Sequence, residues 1–94
     1  MRFIKTVQFT ALIKAGGRLR EFNFRKLRNT DSEYFDVNVV DDRGERILFS
    51  MQKDNNSWRF APSQRFVTTP LPSWISQQEE KLHEVIEEEL RTGQ

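Results

Sequence analysis

Residues 34–53 carry the pattern that most constrains the fold, because two alternating runs flank a short turn. The apolar positions, which alternate with polar ones in both runs, are Phe35, Val37, Val39, Ile47, Phe49 and Met51. Alternation with period two, in β-branched and aromatic residues, is typical of strands with one buried face. Residues 41–44 between the runs are Asp-Asp-Arg-Gly, which favour a tight turn. The stretch therefore predicts an antiparallel β-hairpin.

Three further strands are predicted from the same kind of pattern. Residues 3–13 alternate apolar side chains and are rich in β-branched residues, which favours a strand, although a helix ending at Gly16 also fits. Residues 18–28 have two faces of mixed polarity, so we expect a strand with a bulge between Phe24 and Leu27. The full set of predicted strands is 3–13, 18–28, 34–41, 46–53 and 57–60.

The end of the chain predicts one helix, at about 73–91. Apolar residues recur there at helical spacing, at Ile75, Leu82, Val85, Ile86 and Leu90. Ser76 and Glu79 have the spacing of a capping box near the helix start. The expected fold is a single α+β domain over residues 1–94. It is an antiparallel meander of about five strands, as a curved sheet or partial barrel, with the C-terminal helix packed on one face.

Two sets of apolar residues compete for burial in such a fold. The predicted core comprises Phe9, Phe22, Phe24, Phe35, Val37, Val39, Ile47, Phe49, Met51, Trp58, Phe60, Trp74, Ile75, Leu82, Val85 and Ile86. A second set has the opposite parity, and its candidate interface residues are Leu12, Leu19, Leu27, Val40 and Leu48. One helix cannot cover both faces of a sheet. Either the sheet curls into a partial barrel, or a second subunit covers the second set.

The net charge of +1 conceals a strong asymmetry along the chain. Residues 1–30 hold eight Lys/Arg against one acidic residue, which gives +7, whereas residues 31–68 carry −2 and residues 69–94 carry −4. A chain polarised in this way either folds its acidic segments against its basic ones or presents a basic face to an anion.

The predicted strand 18–28 interleaves basic residues with Phe22 and Phe24. Proteins that bind single-stranded nucleic acid use this combination, because cations meet phosphates while aromatic rings stack on bases. The candidate anion or nucleic-acid contacts are Arg18, Arg20, Arg25, Lys26 and Arg28. The competing interpretation places both phenylalanines in the core and leaves the basic side chains solvated or paired with the acidic helix.

The order of elements, strands followed by one helix, is similar to the PUR repeat of single-stranded nucleic-acid-binding proteins. Residues 34–37, Tyr-Phe-Asp-Val, with Arg43 and Gly44 in the following turn, resemble the central hairpin of that repeat. Residues 71–72, Leu-Pro, ahead of Leu82 and Ile86 resemble its helix. The resemblance implies nucleic-acid contact by analogy. The turn here is more acidic than the basic turn that such a repeat favours, which argues against contact at that point.

Little in the sequence points to catalysis. The chain has no cysteine and one histidine, His83, which we expect to be a solvated residue on a charged helix rather than a general base. The turn at 41–45 lacks the ligand spacing of a calcium loop, and no Walker or dinucleotide-binding motif occurs. We therefore expect no enzyme activity, no metal and no cofactor.

Two functions remain open from the sequence. A protein-interaction or dimerisation domain is favoured over a single-stranded nucleic-acid-binding domain, because near-neutral net charge is unusual for a nucleic-acid binder. No apolar run approaches the roughly 20 residues of a membrane span, so no membrane contact is expected. The absence of cysteine fits a reducing compartment, and the expected location is the cytoplasm.

Overall fold

A computed structural model describes residues 7–27, 33–61 and 71–92, with Leu27 described by its backbone alone. The described strands are β1 (Gln8–Ala15), β2 (Arg18–Leu27), β3 (Tyr34–Val40), β4 (Arg46–Asp54) and β5 (Ser57–Phe60). They form one antiparallel sheet in sequence order. The predicted meander is thereby confirmed. The first strand is a strand rather than a helix, and the part predicted over 3–6 lies outside the described residues.

The predicted single helix is two helical segments, α1 (Ser73–Ser76) and α2 (Glu79–Thr92). The chain tightens between them, where the Gln78 N–H donates to the Ile75 carbonyl over three residues at 2.8 Å. The expected capping box does not form. The Glu79 carboxylate accepts the Phe60 N–H at 2.9 Å, and the Ser76 hydroxyl donates to the Ser73 carbonyl at 3.3 Å.

The expected bulge in β2 was wrong, because β2 pairs with β1 and β3 in continuous register. The mixed polarity of this strand has a different cause, which is that Arg20 points into the protein and is only 7% exposed. Its Nε donates to the Ala15 carbonyl at 2.7 Å, and its Nη1 donates to Asp42 at 2.9 Å. The Arg20 guanidinium also lies 4.0 Å from the centre of the Trp74 ring. These contacts satisfy a cation that would otherwise be costly to bury.

The close approach of Trp74 explains the turn between β1 and β2. Gly16 has a φ of +66°, and a Cβ placed there would lie 3.0 Å from the Trp74 Cβ. A side chain at this position would therefore meet both backbone strain and steric conflict.

The core lies between the concave face of the sheet and the two helical segments. Most predicted core residues are buried in it together with Ile13 and Ala15, and the partly buried ones pack against it: Phe9, Ile47, Phe60, Trp74 and Val85. Aromatic rings fill the middle of the core: Phe9 and Phe24 stack with ring centroids 4.5 Å apart, and Phe35 meets Trp58 edge-on at 5.2 Å. Such pairs add about 0.5–1.5 kcal/mol each beyond their buried area.

The sheet curls into a half-barrel, and α2 packs beside β5 and reaches β1. Two N–H groups of β5 that point away from β4 are accepted by α2 side chains. The Trp58 N–H donates to His83 Nδ1 at 3.0 Å, and the Phe60 N–H donates to Glu79. The Trp58 indole N–H donates to Glu87 at 3.0 Å. Residues 79, 83 and 87, four apart on one helix face, thus close this edge of the sheet. We call them the edge stripe.

We predict that His83→Leu destabilises the protein by about 1–3 kcal/mol, because the partly buried Trp58 N–H loses its acceptor. His83→Asn should cost less, since its side-chain oxygen can accept in place of Nδ1. Urea denaturation followed by tryptophan fluorescence measures both values.

The control for this pair is Glu80→Leu, at an exposed neighbouring position. Its free energy of unfolding should stay within about 0.5 kcal/mol of the parent value. Equal losses for His83→Leu and His83→Asn would show that the hydrogen bond to β5 is not what matters at this position.

Candidate functional site

The convex face of the sheet, turned away from α1 and α2, is the candidate functional site, and we call it the open face. Four large apolar side chains are exposed on it. Leu12 is 65% exposed, Leu19 64%, Val40 38% and Leu48 38%. They are four of the five predicted interface residues. The side chain of the fifth, Leu27, lies outside the described residues.

The strand register places these four residues in two diagonal pairs. Lys14 is opposite Leu19, so Leu12, two residues earlier on β1, is a diagonal neighbour of Leu19. Asn38 is opposite Leu48, which makes Val40 the diagonal neighbour of Leu48 on β3. Diagonal neighbours lie about 7–8 Å apart, within reach of leucine side chains. Each hairpin therefore contributes one apolar pair to the open face.

A polar ladder crosses the open face beside the apolar pairs. The Thr10 hydroxyl donates to Asn23 Oδ1 at 2.7 Å, and Asn23 Nδ2 donates to Asn38 Oδ1 at 3.0 Å. Arg46 Nη1 also donates to Asn38 Oδ1, at 2.6 Å. These side chains satisfy one another across four strands, so the ladder holds its shape without a ligand.

A groove of about 260 Å³ opens at the end of this face nearest the β1–β2 and β3–β4 turns. Leu19 and Val40 contribute apolar surface to it, and Glu21, Asp42 and Arg46 contribute charges of both signs. The groove can therefore receive an apolar side chain flanked by polar or charged ones.

The candidate anion contacts do not form one patch. Arg18 is exposed and pairs with Asp42 at 3.0 Å, whereas Arg20 is buried. Arg25 is exposed and falls on the open face by strand alternation. Lys26, on the other side of β2, pairs with Glu33 at 3.2 Å. Arg28 lies outside the described residues.

The basic residues of β2 pair with acidic residues in loops rather than in α2. Asp42 in the β3–β4 turn forms salt bridges with both Arg18 and Arg20. Glu87 of α2 instead accepts a hydrogen bond from the Trp58 indole N–H. Phe22 and Phe24 are fully buried, so neither ring is available to stack on a base.

The two arginines beside Asp42 favour the ionised form of its carboxyl group. The hydrogen bond from Arg20 holds the pKa of Asp42 below its ordinary value of 3.8, with further help from Arg18. Asp41 next to it organises the turn, because its Oδ1 accepts the N–H groups of Arg43 at 2.9 Å and Glu45 at 2.8 Å.

Several residues of the structure were missed by sequence reasoning. The sequence predicts Asp42 to be a turn former and His83 to be a solvated residue, whereas each is a specific hydrogen-bond partner of a residue more than twenty positions away. The spacing of Glu79, His83 and Glu87 was the available signal for the edge stripe, since residues four apart share a helix face. The ladder could not be found without the strand register.

Within residues 7–27, 33–61 and 71–92, no group of three His, Cys, Asp or Glu side chains is placed to hold a metal ion. Over the same ranges, no helix combines the length and apolar character needed to cross a membrane.

Comparison of the chain with protein-family models, with curated proteins and with solved structures finds no match. The resemblance to the PUR repeat therefore remains a matter of element order and a few residues.

We predict that Asp42→Asn lowers the free energy of unfolding at neutral pH, because the buried Arg20 cation loses its negatively charged partner. Since folding lowers the pKa of Asp42, its carboxylate stabilises the protein above pH 3.8, and this contribution disappears as the pH falls below that value. The difference between parent and variant should therefore close in acid. Urea denaturation from about pH 7 to about pH 3 measures it.

Asp54→Asn, at an exposed position beside the β4–β5 turn, is the matched control, and its stability should stay within about 0.5 kcal/mol of the parent at neutral pH. A difference between parent and Asp42→Asn that persisted undiminished in acid would mean that the carboxylate charge is not the stabilising element.

Proposed function

We propose that this protein is a non-enzymatic protein-interaction domain that uses its open face to form a homodimer. The observation that carries the proposal is the exposure of Leu12, Leu19, Val40 and Leu48 on one side of the sheet. Exposed apolar side chains grouped on one face, with polar neighbours, are typical of protein–protein contact sites.

Charge complementarity supports a second copy as the occupant. Around the leucines the open face carries both signs, with Lys14 and Arg46 on one hand and Glu21 on the other. A two-fold axis brings the same patch from both copies together, so a patch with both signs can complement itself. A strongly basic patch would instead repel its copy.

The size of the open face is also compatible with a dimer. Strands of four to ten residues, at about 3.4 Å per residue and about 4.8 Å apart, give a face of roughly 600 Å² in plan. The smaller stable interfaces bury about 600 Å² of accessible surface per partner, and accessible surface exceeds the area in plan.

We also propose that the domain is cytoplasmic. A chain without cysteine forms no disulfide bonds and therefore does not depend on an oxidising compartment.

We predict that the parent chain is a dimer by light scattering, and that Leu48→Glu or Leu19→Glu makes it a monomer. A carboxylate at either position would be buried against the partner without a counter-charge, which costs several kcal/mol. Both residues are exposed in the single chain, so the variants should stay folded and unfold cooperatively, less stable than the parent only by what dimerisation contributes.

Gln77→Glu is the matched control, because it adds the same charge at an exposed position between α1 and α2, away from the open face. It should remain dimeric. A parent chain that is monomeric at high concentration would overturn the dimer, and a heteromeric partner lost on Leu48→Glu would assign the face to another protein.

The nucleic-acid alternative is tested on the same samples with a labelled single-stranded oligonucleotide at low and moderate salt. Because Phe22 and Phe24 are buried, we expect no binding that survives moderate salt. A monomer that binds tightly with a steep salt dependence would replace the dimer hypothesis with the nucleic-acid one.

A further inference from the structure

The two edges of the sheet differ in how their outward hydrogen-bonding groups are satisfied. On β5, the outward N–H groups of Trp58 and Phe60 donate to the edge stripe of α2. On β1, the Lys26 N–H donates to the Val7 carbonyl at 2.8 Å, which fixes which residues face β2. Because antiparallel strands alternate, the residues whose N–H and C=O groups face outward are Gln8, Thr10, Leu12 and Lys14.

These outward groups of β1 have no hydrogen-bond partner within the described part of the chain. Proteins usually protect an edge with proline, a bulge, inward-pointing charge or a covering element. β1 contains no proline, pairs in continuous register, and carries a single charged residue, Lys14, at its far end. An edge of this length is a template for another strand.

A groove of about 320 Å³ runs between β1 and α2 on the concave side of this edge. Phe9, Ala11 and Val85 form its half-buried apolar floor. The α2 side of the groove carries the carboxylates of Glu84, Glu88 and Glu89 and the positive charge of Lys81. Arg91 pairs with Glu88 from outside the groove, which leaves Glu84 and Glu89 as its dominant charges.

We propose that the β1 edge binds an extended segment of a partner protein, which adds a sixth strand and carries basic side chains at every second position. This goes beyond the homodimer proposed above, because it uses an edge of the sheet rather than its open face. The strand supplies hydrogen-bond partners to the outward backbone groups of β1. Its inward side chains lay apolar stems on Phe9, Ala11 and Val85 and bring their charged ends to the carboxylates of α2, as lysine and arginine side chains do.

The outward side chains of the added strand lie beside Thr10 and Leu12, where β-branched residues pack well against a pleated surface. The favoured segment therefore alternates lysine or arginine with valine, isoleucine or threonine.

The charge of the groove argues against β1 of a second copy as the occupant. Antiparallel pairing of two β1 edges would place the acidic walls of both α2 helices along the same seam. Glu84 and Glu89 of each copy would then face like charges, which disfavours that pairing.

The test is a titration of the isotope-labelled full chain with an acetylated and amidated octapeptide of alternating lysine and valine, followed by amide hydrogen exchange. Exchange of the Thr10 and Leu12 amides should slow on binding, because these N–H groups enter the new ladder. The corresponding glutamate–valine octapeptide should bind at least about tenfold more weakly, because several modest charge attractions to the α2 carboxylates become repulsions.

Two variants locate the site. Thr10→Pro removes an outward N–H that β2 does not use, so it should abolish peptide binding while the β1–β2 ladder persists. Glu89→Lys should weaken binding about three- to tenfold. Glu80→Lys makes the same charge change on the other side of α2, beside β5, and should leave the affinity unchanged.

Leu48→Glu separates this proposal from the homodimer, because it should dissociate the dimer while the peptide still slows exchange of the Thr10 and Leu12 amides. The proposal is overturned if no slowing of exchange occurs at about millimolar peptide, or if both octapeptides bind equally. It is also overturned if Glu80→Lys weakens binding as much as Glu89→Lys. Concentration-dependent protection of Thr10 and Leu12 that occurs without peptide and persists in Leu48→Glu would assign the edge to a second copy instead.

Discussion

The contact between α2 and the edge of β5 determines how the rest of the molecule is arranged. A short strand of four residues ends the sheet, and its outward N–H groups would face water if the helix were absent. Glu79 and His83 accept them, and Glu87 holds the Trp58 ring in the core from the polar side. The helix is thereby fixed in both rotation and position along the strand. Leu82 and Ile86 then point into the core, and the acidic residues of the next face point toward β1.

Burial of Arg20 has a similar organising effect at the opposite end of the sheet. Its guanidinium joins the β1–β2 turn, the Trp74 ring and the β3–β4 turn through Asp42. These three segments are separated by dozens of residues in sequence. The arrangement also resolves the charge asymmetry of the chain, since part of the positive charge of the first thirty residues is neutralised by a turn rather than by the acidic helix. Arg20 is therefore a structural residue among the basic residues of β2.

Periodicity in the sequence predicts the β3–β4 hairpin and most of the core, because alternation directly reports the buried face of a strand, but it leaves β1 open between strand and helix and gives β2 a bulge that the structure does not have. It also separated a second apolar set, of which Leu12, Leu19, Val40 and Leu48 are exposed in the structure. Periodicity does not show which side chains pair with one another. The pairing of Arg20 with Asp42, and of His83 with Trp58, depends on which strand ends and helix faces meet in space. The same limit explains the expected bulge between Phe24 and Leu27, because the sequence does not show that Lys26, on the same side of β2 as Phe24, pairs with Glu33.

The open face and the β1 edge share one strand, and this links the two proposed contacts. The side chain of Leu12 belongs to the open face, whereas its N–H belongs to the edge. A strand added at the edge would set its outward side chains beside Leu12 and extend the open face by one strand width, about 4.8 Å. If those side chains are β-branched, the apolar area offered to a second copy grows. Occupation of the edge would then strengthen the dimer, and by thermodynamic reciprocity the dimer would bind the extended segment more tightly than the monomer does.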